Sequence, residues 1–233
     1  MPASTRSIRL EIESRILEGD LTVPSAASGL VLFAHGSGSS RHSTRNRLVA
    51  ESLQRAGLAT CLFDLLTAEE EAADALSGHI RFDIGLLAER LLGATAWLRN
   101  EPQCASLRIG YFGSSTGGGA AIVAAAAQPE WIGAIVSRGG RPDLAGPSLA
   151  KLRTPTLLIV GGRDYPVIEL NEEAQRQIPG LTRLEIVPAA THLFEERGAL
   201  ESVAALSADW FNTYLQQAGK SDFSEPDSEP GRG

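Results

Sequence analysis

The sequence predicts an α/β fold, a mostly parallel sheet with helices on both faces, from three observations. Strand-length apolar runs alternate with helix-length runs from about residue 29 to residue 219. Most of these strand runs are continuously apolar, as in strands covered on both sides. Several run straight into glycine-rich or polar residues, and in sheets of this kind ligands sit at the carboxyl ends of the strands.

The elements follow in order. Residues 7–12 and 15–23 have rough period-two patterns with charges on alternate positions, which predicts an antiparallel edge pair. GLVLFAH is the first fully covered strand, RNRLVAESLQRAG a helix ending at Gly57, and ATCLFDL the next strand. IGLLAERLLGATAWLRN reads as a long amphipathic helix, LRIGYFG as a strand, GGGAAIVAAAAQ as a small-residue helix and IGAIVS as a strand. TPTLLIVGG, VIELNEEAQRQI, LEIVPA and ESVAALSADWFNTYLQQAG complete the alternation as strand, helix, strand and helix. Thr67–Phe82 reads as a polar segment roofing the carboxyl edge.

At 233 residues, 43% hydrophobic and 21% charged, the chain is long enough for one well-buried core. We assign residues 1–217 to that domain and expect residues 218–233, polar, acidic and proline-bearing, to be a disordered tail. The net charge of −7 and the lack of a Lys/Arg cluster disfavour nucleic acid as a partner. No run reads as a signal peptide or a membrane span, so a soluble, cytoplasmic protein is expected. Cys61 and Cys104 are too few for a disulfide framework or a metal site and read as core residues.

Gly113-Ser114-Ser115-Thr116-Gly117 is a GxSxG sequence between a predicted strand and a predicted helix, the context in which that motif is informative. So tight a turn raises the central serine above the sheet, and small residues after it let the helix approach the strands. A phosphate-binding loop is the other use of such glycines, but neither GxxxxGK nor GxGxxG is present. Serine needs a base and an orienting acid to act as a nucleophile. His192 follows the strand LEIVPA, whereas His79 lies in a polar stretch and His35 and His42 come too early in the chain. Asp164, directly after LLIVGGR, fits the order serine, acid, histidine better than Asp143 or Asp64. For the oxyanion, the N–H of Thr116 and an N–H from the glycine-rich segment after GLVLFAH, taken as that of Ser37, are the expected donors.

Through FAHGSGSSRHSTRN, GYFGSSTGGGAA, LLIVGGRD and ATHLFEE, residues 7–216 resemble the α/β-hydrolase superfamily and its small dienelactone-hydrolase-like branch. The resemblance implies the α/β-hydrolase fold and a triad of Ser115, Asp164 and His192. Dienelactone hydrolases proper carry a cysteine nucleophile where this chain has Ser115, which suits ordinary esters. They also grip a substrate carboxylate with arginines, for which Arg41, Arg138, Arg141 and Arg197 are the candidates here. Between the strands IGAIVS and TPTLLIVGG the chain is too short for a cap domain. These readings lead to a carboxylic ester hydrolase acting on small esters or lactones through an acyl-enzyme on Ser115, with no cofactor or metal. Acyl transfer on the same triad is one alternative. A non-catalytic interaction module, of the kind similar units form beside phosphoribosyltransferases, is the other.

Overall fold

The computed structural model describes residues 4–216. The acidic stretch 218–233 lies outside the described residues. Eight strands form one sheet: β1 Thr5–Ile12, β2 Arg15–Thr22, β3 Leu30–Ala34, β4 Ala59–Phe63, β5 Ile109–Ser114, β6 Ile132–Arg138, β7 Thr156–Gly161 and β8 Thr182–Val187. Their order is β1-β2-β4-β3-β5-β6-β7-β8. The expected edge pair β1–β2 is antiparallel, β2 runs antiparallel to β4, and every later pairing is parallel. β3, β4, β5, β6 and β7 are buried along their whole length, as their unbroken apolar composition requires.

The helices are α1 Thr44–Arg55, α2 Ala68–Ser77, α3 Ile84–Asn100, α4 Thr116–Ala127, α5 Tyr165–Gln177 and α6 Ala199–Leu215. One apolar cluster joins the sheet to α1 and α6, and a second joins its opposite face to α3, α4 and α5, so the sheet is covered on both sides. α4 carries no polar stripe because it is buried almost all round, and its glycines and alanines let it lie close over β5 and β6. α3 is tied to β5 by the buried Thr95 and Tyr111 hydroxyls, 2.7 Å apart. Cys61 and Cys104 are buried free thiols, and burial is the main cause that raises both pKa values, that of Cys104 to about 11.

The roofing segment is more ordered than its composition suggested. α2 occupies residues 68–77, followed by a 3-10 turn at Ile80–Phe82. Its start is a capping box: the Thr67 hydroxyl accepts the Glu70 N–H, and the Glu70 carboxylate accepts the Thr67 N–H at 2.9 Å. Between β6 and β7 the chain forms 3-10 turns over Pro142–Lys151, kinked at Gly146, that pack on α4 and α5 and leave no room for a cap. Among the described residues no helix is long and apolar enough to cross a membrane.

Candidate active site

Ser115 sits between the end of β5 and the start of α4, with φ 51° and ψ −119°. A non-glycine residue at such a φ is held there by its surroundings. The restraints are the Ser115 N–H donated to the Arg138 carbonyl (3.2 Å), and the Ser115 carbonyl accepting from Gly118 (3.0 Å) and Arg141 (3.0 Å). Beneath the turn, Ser114 Oγ donates to the buried Asn46 side chain at 3.1 Å, locking the start of α1 against it. Gly117 has to be glycine, since a Cβ there would lie 2.1 Å from the Ala34 carbonyl oxygen and 2.7 Å from that of His35. Gly117→Ala is expected to cost about 3 kcal/mol, the upper end of overpacking. A thermal melt should then show Tm lower by roughly 6–12 °C; an unchanged Tm would mean that the turn yields freely.

Two strands away, Asp164 follows β7 and His192 follows β8. His192 Nδ1–H donates to Asp164 Oδ2 at 2.6 Å, with the Asp164 side chain 13% exposed and the imidazole 40% exposed. That bond fixes the proton on Nδ1 and leaves Nε2 free to accept one. The end of β6 touches both halves of the site: Arg138 receives the Ser115 N–H, and a Cβ on Gly139 would stand 3.4 Å from the His192 ring. The other histidines are placed differently. His42 is exposed beside Arg47, His79 is exposed at the end of the roof, and His35 is buried. Burial lowers the pKa of His35, which is neutral: its Nδ1–H donates to the Gly36 carbonyl (3.0 Å) and its Nε2 accepts the Leu65 N–H (3.0 Å). It therefore pins the segment after β3 to the one after β4.

That segment passes directly beside the serine, since a Cβ on Gly36 would stand 3.1 Å from the Ser115 Cβ. The Ser37 N–H points at the start of α4 and donates to the Thr116 hydroxyl at 3.0 Å. Thr116 opens α4, and the first N–H groups of a helix have no acceptor within it, so its N–H is available to a ligand. The Ser37 N–H is thus brought to the residue that opens α4, with the Thr116 hydroxyl as the acceptor it now holds.

A cleft of about 330 Å³ opens from this corner, walled by Ser37, Gly38 and Thr116 on one side and roofed by Glu71, Asp74 and Arg81. Among the arginines singled out in the sequence, none lines it. Arg41 pairs with Asp64, Arg141 holds Asp143 through two bonds of 2.8 and 2.7 Å, and Arg197 is exposed. Arg138 is buried over the Phe194 ring, and burial lowers its pKa to about 10. The arginine that does reach the cleft, Arg81, lay in a segment read only as polar, and the capping box ahead of it was the local signal that the segment folds. The Arg141 contact also removes Asp143 from contention as the histidine's partner. No cluster of His, Cys, Asp and Glu side chains that could hold a metal occurs among the described residues.

No family model matches the chain. A dienelactone hydrolase from Anabaena variabilis of solved structure is 57% identical, with a TM-score of 0.91 over 93% of this chain and all of that one (100%). An esterase of Pyrococcus furiosus shares the fold at 19% identity and a TM-score of 0.71, covering 91% of this chain and 92% of its own. In two strains of Mycobacterium tuberculosis, proteins provisionally named phosphoribosyl transferase are 61% identical over 203 residues. That match takes in 87% of this chain and 45% of those proteins, so the chain spans less than half their length.

Proposed function

Given that the chain belongs to the dienelactone-hydrolase-like branch of the α/β-hydrolase superfamily, we propose that it is a serine hydrolase of small carboxylic esters or lactones. The observation that carries the reading is the Asp164–His192 hydrogen bond, at 2.6 Å, in a chain whose Ser115 is held at positive φ at a strand–helix turn. Serine in place of cysteine matters because an alcohol has no usable anionic form near neutral pH and depends on its base at the moment of attack.

In this mechanism Ser115 Oγ attacks the ester carbonyl as His192 Nε2 takes its proton, and Asp164 stabilises the resulting imidazolium. The oxyanion accepts from the N–H groups of Thr116 and Ser37, displacing the Thr116 hydroxyl from the latter. Collapse expels the alcohol, protonated by His192, and leaves an acyl group on Ser115. Water, deprotonated by His192, then releases the acid. A cleft of about 330 Å³ lies at the small end of ligand sites and suits short acyl and alcohol groups. The reading concerns this chain alone; the transferase name belongs to whole proteins of which the chain matches 45%.

The test is to treat intact protein with a fluorophosphonate and locate the adduct by mass spectrometry. A single adduct on Ser115, with turnover of short-chain esters, is the expected result. Folded protein that takes up no label would instead favour the interaction-module reading. Formation of new esters with added alcohol, in preference to hydrolysis, would favour acyl transfer.

A further inference from the structure

The charges in the cleft do not balance. Arg81 shares two of its three guanidinium nitrogens with its neighbour: Nε reaches the Asp74 carboxylate and Nη2 donates to the Asp74 carbonyl at 2.8 Å, while Nη1 faces Gly38 across the cleft. The Asp74 carboxylate also accepts the N–H groups of Ile80 (2.6 Å) and Arg81 (3.2 Å). Burial works against its charge, but Arg81 and those N–H groups hold its pKa below the usual carboxylate value. Asp74 and Arg81 thus form a compensated pair that staples α2 to the following 3-10 turn.

Glu71, one turn earlier on α2, lines the same cleft with no hydrogen bond to its carboxylate among the described residues. The charges that act on it are those of Asp64 and Arg41, and Arg41 already binds Asp64 through its guanidinium and through its N–H at 2.7 Å. Glu71 is exposed at the cleft, and the desolvation it does suffer together with the Asp64 charge raises its pKa against the lowering effect of Arg41. A cation or a hydrogen-bond donor entering the cleft would meet an unbonded carboxylate, and a second carboxylate would be repelled by it.

We propose that Glu71 makes the cleft selective for esters that carry a hydroxyl or ammonium group away from the scissile bond, and selects against hemiesters of dicarboxylic acids. The proposal rests on reading the cleft as the ester-binding site. It differs from the carboxylate-gripping role that the resemblance suggested for arginines, because Arg81, the one arginine lining the cleft among the described residues, already has its charge matched by Asp74.

The experiment compares kcat/KM for ethyl butanoate, the ethyl ester of γ-aminobutyrate and monoethyl succinate, in wild type and in Glu71→Gln. These esters match in chain length and differ in terminal charge. Wild type should favour the ammonium ester over the succinate, and Glu71→Gln should shrink that ratio about tenfold, as expected for one charge acting at short range in a partly solvated cleft. A ratio that Glu71→Gln leaves unchanged, or a wild type that prefers monoethyl succinate to ethyl butanoate, would overturn the proposal. Absence of turnover with all three esters would sink the ester reading instead. In that event calorimetric binding of the ammonium and succinate esters to the two proteins reads the same preference, with an unchanged ratio of affinities again counting against Glu71.

Discussion

Ser115→Ala is expected to reduce ester turnover by about 10⁴-fold or more while leaving the thermal melt in place. On the proposed mechanism the activity loss follows from removing the atom that would bond to the acyl group; what would remain is whatever water achieves with the proposed oxyanion donors and the bound substrate. The fold should tolerate the change because alanine keeps the Cβ and loses only Oγ. The backbone at φ 51° is held by bonds from the Ser115 N–H and carbonyl, which the substitution does not touch. Steady-state kinetics on a short-chain ester, with fluorophosphonate labelling in parallel, read both consequences. Turnover close to wild type in this variant would place the chemistry on another residue.

Asp164→Asn should lower kcat by about 10³–10⁴-fold, again without unfolding. An amide is nearly isosteric with the carboxylate but presents a donor as well as an acceptor. It thereby allows the imidazole tautomer with its proton on Nε2, which cannot accept a proton from Ser115. It also removes the charge that stabilises the imidazolium. Asp143→Asn serves as the control, since the Asp143 carboxylate is held by Arg141 at 2.8 and 2.7 Å. That pair is 28–40% exposed at its side chains, and breaking it is expected to change kcat by no more than about threefold. If Asp143→Asn proved the more damaging of the two, the assignment of the orienting acid would have to be reversed. Both kcat values are to be measured beside melts, so that misfolding is not counted as lost catalysis.

Much of the architecture was legible because the signals are local. Ile84–Asn100 is a helix with the limits its amphipathic pattern gave, and the buried strands appear where the apolar runs stood. The helix Ala68–Ser77 was passed over, since its run of acids and alanines carries almost no apolar face and only Asp74 is buried. Its one clear sign was the pair Thr67 and Glu70, a start signal without the periodic stripe that normally follows it. The charges that line the cleft were illegible for a related reason. Arg41, Arg138, Arg141 and Arg197 each lie near a strand end, but whether a guanidinium faces a cleft or a neighbouring carboxylate depends on what lies across from it in space.

The sequence by itself determined the order of elements, the mostly parallel sheet and the serine at its strand–helix turn, because apolar periodicity and glycine tolerance are properties of neighbouring residues. It also ranked Asp164 and His192, through their positions after successive strands. Tertiary structure alone decided that these two side chains meet at 2.6 Å, that the Ser37 N–H is turned onto Thr116, and that the Glu71 carboxylate lines the cleft with no hydrogen bond among the described residues. Each of those outcomes depends on distances between residues 28 to 79 positions apart or on which charges have already found partners, and such pairings are fixed only when the strands assemble.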